Sequence, residues 1–271
     1  MAIAEDISSS LLNLRAGSLE VRIAETNIEI DAAQALRYKI FYEEMDAFPS
    51  KEQKELKRDI DDYDPYFDHL LVIDHDIKGS FKKKVVGTYR LNRGIKKNKQ
   101  NFYYTASEFN IENLLSYPGN ILELGRSCVS EKHRNGKTMQ LLWNFIALYV
   151  IKNDIKIMFG CASFPGTDPK VHMQQLKYLQ SRYLAPLNMR TYALKDKNVD
   201  IESARLKIPA NTYSFKDFLT SVPPLIKGYI RLGAYVGHGA VIDNVFNTID
   251  VCIVLPTKKV ASRYMAHYDR K

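Results

Sequence analysis

The chain has 271 residues, 45% of them hydrophobic, which supplies a sizeable core and excludes a disordered polypeptide. A formal net charge of +8 favours an acidic partner, and apolar runs such as "LLWNFIALYVI" are too short to span a bilayer. Cys128, Cys161 and Cys252 are odd in number and fit no metal spacing, so they read as buried small hydrophobes in a reducing compartment.

The N-terminal stretch "MAIAEDISSSLLNLRAGSLEV" has early acids and no clean apolar centre, unlike a signal peptide. "SLEVRIAET" (18–26) alternates as a strand does. Asp31 is placed to cap a helix over "AAQALRYKIFYEEM", where Ala33, Leu36, Ile40 and Met45 follow roughly helical spacing. Arg37 and Phe41, four apart, share one face of it. The polar stretch "PSKEQKELKRDIDDYDPYFD" reads as a long surface loop or short helix. Its Asp59, Asp61, Asp62, Asp64 and Asp68 could hold a cation or basic ligand but match no calcium loop. "HLLVID" and "VVGTYRLN" are strands joined by a hairpin-like turn, and "SEFNIENLL" is a short helix. Then come the strand "ILELGRSCVS", the turn "HRNGK", the buried helix "TMQLLWNFIALYVIKND" and the strand "IKIMFGCASF". A helix over "DPKVHMQQLKYLQSRYL", a less patterned stretch, "PPLIKGYIRLGAYVG" and the strand "DVCIVLP" complete the order. No repeat or linker divides the chain, and the layout is α+β with a central sheet, one domain over 1–271.

"ILELGRSCVS" (121–130) carries two charges in an otherwise apolar and small-residue run. Strand alternation places Ile121, Glu123, Gly125 and Ser127 on one face and Leu122, Leu124, Arg126 and Cys128 on the other. Glu123 and Arg126 then point apart unless a bulge intervenes. A carboxylate among apolar residues is pushed towards neutrality and suits a general base, whereas pairing with Arg37 or Arg90 would make Glu123 structural. Basic clusters fall at 82–84, 96–99 and 131–137. Only "KKNKQNFYY" interleaves basics with aromatics, so no nucleic-acid partner is expected. The histidines lack zinc spacing, no metal is expected, and no Gly-x-Ser-x-Gly appears.

"LRYKIFYEEM", "DIDDYD", "DHLLV", "VVGTYRL", "ASEF", "LELGRSCV", "MFGCASF" and the tail from "PPLIKGYIRLG" onward, in this order, resemble the ornithine-lipid synthases over residues 18–268. These are L-ornithine N-alpha-acyltransferases with the GNAT acyltransferase fold, using a 3-hydroxyacyl group on acyl carrier protein. The resemblance implies a mixed, mostly antiparallel sheet flanked by helices, with a core at 18–195 and an extension at 196–271 packed on it. It also implies no bound cofactor, the acyl-phosphopantetheine of acyl carrier protein as donor, L-ornithine as acceptor, and a cytoplasmic enzyme able to touch an anionic inner-membrane surface.

A subset looks like the autoinducer (acyl-homoserine-lactone) synthases: Arg37 with Phe41, Asp61 with Asp64, Arg90, Phe109, and Glu123-x-Gly125-Arg126. Those enzymes carry a Trp after the first helix where this chain has "DAFPS", and they lack the long tail. "HRNGKT" is a degenerate form of the GNAT acyl-carrier loop. Through the resemblance, Glu123 and Arg126 become candidate catalytic residues. Arg37, Phe41, Asp61, Asp64, Arg90 and Phe109 become candidate substrate contacts. Gly125, Ser127, His133, Arg134, Gly136 and Lys137 become candidate acyl-donor contacts. An N-acyl amino acid synthase for another amine such as glycine, an autoinducer synthase and a non-catalytic basic module remain alternatives.

Overall fold

A computed structural model describes residues 13–94, 102–201 and 214–258. The start of the N-terminal stretch, the basic run at 96–99 and the tail from 259 lie outside the described residues. One sheet organises the chain, in the order β1 (Asn13–Ala16), β2 (Leu19–Ile23), β3 (Asp68–Asp74), β4 (Val85–Asn92), β6 (Asn120–Val129), β7 (Ile155–Pro165), β11 (Thr248–Pro256) and β10 (Val241–Asp243). β9 (Tyr235–Val236) also pairs with β11, and β5 (Phe109–Asn110) pairs with β8 (Tyr192–Ala193) in a separate ribbon. Among the described residues every strand ladder is antiparallel except β6 with β7. The mixed, mostly antiparallel sheet implied by the resemblance is therefore present.

Helix α1 (Asn27–Tyr38) is capped by Thr26, whose side chain accepts from the Glu29 amide while Glu29 reaches back, a reciprocal box that satisfies amides on both sides. Asp31, expected as the cap, lies inside the helix and pairs with Arg58. The helix continues as a wider π turn over Lys39–Glu44. The acidic stretch forms a short helix, α2 (Lys51–Leu56), and a single 3-10 turn at Asp64–Tyr66. The turn between β3 and β4 includes one helical turn, α3 (Phe81–Lys84). "SEFNIENLL" splits into a 3-10 turn at Tyr104–Ser107, then β5, then α4 (Glu112–Leu115).

The "HRNGK" turn leads into α5 (Gly136–Lys152), capped by Asn135, whose side chain accepts from the Thr138 amide. With α6 (Pro169–Arg182), α7 (Phe215–Ser221) and α8 (Pro224–Leu232) it covers the sheet face of Leu122, Leu124 and Met158, Ile226 and Tyr229 of α8 joining the same core. The opposite face carries Phe109, Ile111, Leu114, Ile121, Phe159 and Cys252, and α1 packs on Leu71, Ile73 and Cys128. The tail supplies β11, which pairs with β7 from Thr248↔Pro165 to Pro256↔Ile157.

Candidate active site at the opening between two strands

β6 and β7 pair only from Asn120↔Ile155 to Glu123↔Phe159; beyond that both strands continue without pairing to each other. The junction is set by Gly160, where a Cβ would lie 2.1 Å from the Leu124 carbonyl oxygen. Only glycine allows the strands this close immediately before they part. Gly125 sits at the opening with nothing within 4 Å of where its Cβ would be.

β6 carries a bulge here. Thr88↔Cys128 and Arg90↔Gly125 bracket one residue of β4 against two of β6, and Arg126 takes φ +50°. The extra residue reverses the side-chain phase. Arg126 turns onto the Glu123 face, towards Asp59, Asp61 and Tyr104, and Ser127 turns away to the Tyr89 hydroxyl beneath the helices. Strict alternation, which separates Glu123 from Arg126 and groups it with Ser127, fails at this point.

Glu123 is buried and pairs with neither Arg37 nor Arg90. Its Oε1 accepts from the Thr105 amide (2.6 Å) and hydroxyl (2.7 Å), and its Oε2 accepts from the Tyr104 amide (3.2 Å). Burial pushes its carboxyl above the usual carboxylate range, and the Thr105 donors only partly offset this. A carboxylate oxygen has two lone pairs, so Oε2 can still accept a proton or a water.

Beside it lies a compact ion network. Arg37 donates through Nη1 and Nη2 to the two oxygens of Asp64, each at 2.9 Å, and its Nε lies 2.7 Å from Asp59 Oδ2. Arg90 Nη1 donates to Asp61 (2.6 Å) and Asp64 (2.8 Å). Arg126 donates to Asp59 and Asp61, each at 3.2 Å. Burial opposes ionisation of Asp59 and Asp64, but the surrounding guanidinium charges outweigh it and hold both carboxyls below their usual range. His69, buried beside Arg37, is depressed to about 4 and is neutral at pH 7. Arg126 lies between two rings, 4.6 Å from the Tyr104 centroid and 4.2 Å from that of Phe246, and Phe41 packs edge-on against Phe246 at 5.7 Å.

The structure thus gathers Glu123, Arg126, Arg90, Arg37, Asp61, Asp64, Gly125 and Phe41 around one opening. Asp61 and Asp64 are not a free acidic pair, because arginines neutralise both. Phe109, the first residue of β5, is sealed in the core and faces no opening. In the turn before α5, His133 bridges Ser130 (2.9 Å) and Asp74 (3.0 Å), and Arg134 pairs with Glu44 and donates to the Val129 carbonyl. Gly136 and Lys137, at the start of α5, are exposed. Tyr104, Thr105, Glu108, Phe246 and Cys161 also line this region without a motif to announce them. The single available signal is that Cys161 alternates into the Glu123 face of β7.

The acetyltransferase (GNAT) domain model matches residues 36–144, so the opening lies in a GNAT acyltransferase fold. An L-ornithine N(alpha)-acyltransferase of Agrobacterium fabrum is 43% identical over 256 residues, covering 94% of this chain and 86% of that protein. One from Rhizobium meliloti is 44% identical over 256 residues, covering 94% and 85%. The chain belongs to the L-ornithine N(alpha)-acyltransferase family. Among solved structures it is similar to FeeM, an N-acyl amino acid synthase from uncultured soil microbes, at 11% identity and TM-score 0.44, with 95% of each chain covered.

Proposed function

We propose that this chain transfers a (3-hydroxy)fatty acyl group from acyl carrier protein to the α-amine of L-ornithine, giving a lyso-ornithine lipid. The observation that carries this reading is a buried, proton-seeking carboxylate, Glu123, at the point where β6 and β7 part. The acyl-phosphopantetheine arm enters between the two strands, its thioester beside the space at Gly125. Its phosphate meets the Gly136 and Lys137 amides at the start of α5. The chain itself then needs no bound cofactor.

Ornithine's α-ammonium gives a proton to Glu123, directly or through one water, and the freed amine attacks the thioester carbon. Backbone amides near Gly125 stabilise the oxyanion of the tetrahedral intermediate. The carbon–sulfur bond then breaks as the nitrogen loses its second proton, which passes to the pantetheine thiolate, the amide forms, and Glu123 releases the first proton to solvent. Arg126, braced by Asp59, Asp61 and two aromatic rings, holds the α-carboxylate. The net charge of +8 and the exposed Lys132 and Lys137 suit docking of the acidic carrier protein.

No described helix is long and apolar enough to cross a membrane. The proposed location is the cytoplasm, with the lipid product released at an anionic inner-membrane surface. Cosedimentation with anionic vesicles checks that contact, and its absence at low salt counts against it.

Glu123→Gln lowers turnover by about 100-fold or more while a cooperative thermal transition is retained. Undiminished turnover would remove Glu123 from the base role.

A further inference from the structure

On the same sheet face as Glu123 lies a second acidic group, Glu108, Cys161 and Asp250, whose ligand atoms all fall within 4.8 Å of one another. Glu108 is 3% exposed and Asp250 4%. Glu108 Oε2 and Asp250 Oδ1 lack a partner at hydrogen-bonding geometry, and the hydroxyl and thiol groups nearest the two carboxyls, Cys161 and Tyr104 at Glu108 and Ser163 and Thr248 at Asp250, carry no positive charge. Among the described residues no basic side chain lies within ion-pairing distance of Glu108, Asp243 or Asp250. In the adjoining network, by contrast, Asp59, Asp61 and Asp64 are matched by Arg37, Arg90 and Arg126. Buried carboxylates without a counter-charge are costly unless a proton or a bound cation neutralises them, and an ammonium ligand would take the place of the proton.

We infer that Glu108 and Asp250, with Cys161 beside them, form a subsite for the side-chain ammonium of the acceptor. This rests on the acylation of ornithine proposed above and identifies what selects a diamino acid. An ammonium has three donors and no acceptor, matching the orphaned oxygens. The subsite is joined to the reacting centre through Thr105: the Cys161 thiol donates to its hydroxyl at 3.9 Å, and that hydroxyl donates to Glu123. Tyr104 forms the wall between them, its ring against Arg126 and its hydroxyl donating to Asp243 at 3.3 Å. An ornithine zwitterion thus meets Arg126 with its carboxylate, Glu123 with its α-amine, and Glu108 with Asp250 at the far end.

The test compares L-ornithine with L-norvaline, which has the same carbon chain without the terminal amine, in the full chain and in Glu108→Gln and Asp250→Asn. The wild type prefers ornithine by about 100-fold or more in kcat/KM, and each variant lowers the ornithine-to-norvaline ratio at least about tenfold. An unchanged ratio in both variants overturns the subsite, and so does a wild type that acylates the two amines equally. If the wild type acylates neither, the acylation reading has failed. Calorimetric binding of ornithine without donor then decides: affinity weakened in both variants supports the subsite, and absent or unchanged binding overturns it. A stoichiometric metal ion in the purified protein, lost from both variants, also overturns it.

Discussion

Glu108 is buried against its own charge. Burial first, and then the charge of Asp250, raise its pKa from 4.5 to about 8; Asp243, Cys161 and Tyr104 are the other titratable groups facing it. The native chain therefore keeps a proton that the unfolded chain releases, and stability falls as pH rises from about 4.5 to about 8. Asp250, raised to about 6, adds to the same slope. Glu108→Gln should flatten this decline, so urea melts of variant and wild type diverge as pH increases. Parallel curves would mean that Glu108 is ionised in the folded chain. Arg37, Arg90, Asp61, Asp64 and Glu123 were all legible as a charged set in the sequence. Their pairing was not, because Arg37 and Asp64 meet only through tertiary packing. Glu108 was hidden inside "ASEF", where neither periodicity nor spacing distinguishes a surface acid from a buried one.

At the scale of elements, alternation in β6 is readable up to Gly125: Leu122 and Leu124 face the helices, and Ile121 faces the other core. The bulge beyond it was not, because the left-handed φ falls on Arg126 rather than on the adjacent glycine. That displacement puts the guanidinium on the Glu123 face and gives one strand both a candidate base and a candidate anion-binding group. The opening depends equally on Gly160. Gly160→Ala must push the Leu124 carbonyl away, costing about 1–3 kcal/mol of stability and raising KM for the acyl donor more than KM for the amine. Wild-type stability and donor KM in this variant would show that the close approach does not shape the opening. The helix start at Thr26 was missed because Asp31 also suits a cap by residue type, whereas the Thr26–Glu29 box depends on where the chain leaves β2.

For the molecule as a whole, the α+β layout and the strand–helix–strand unit β6–α5–β7 follow from periodicity. The placement of the tail does not. β11, the run "DVCIVLP" with its flanking residues, lies against β7 and brings Asp250 to the Glu123 face, a long-range pairing with no local signature. The part of the chain beyond residue 196 thus helps to build the acceptor side of the proposed site as well as the sheet.

The proposed reaction joins a carrier-borne acyl group to the α-amine of ornithine. Mass spectrometry after incubation with acylated carrier protein, the same acyl group on coenzyme A, and ornithine, lysine, norvaline and glycine tests it most directly. The expected dominant product is α-N-acyl-ornithine, formed faster from the carrier protein. Acylation of glycine in preference to ornithine, or transfer to the side-chain amine, would contradict it.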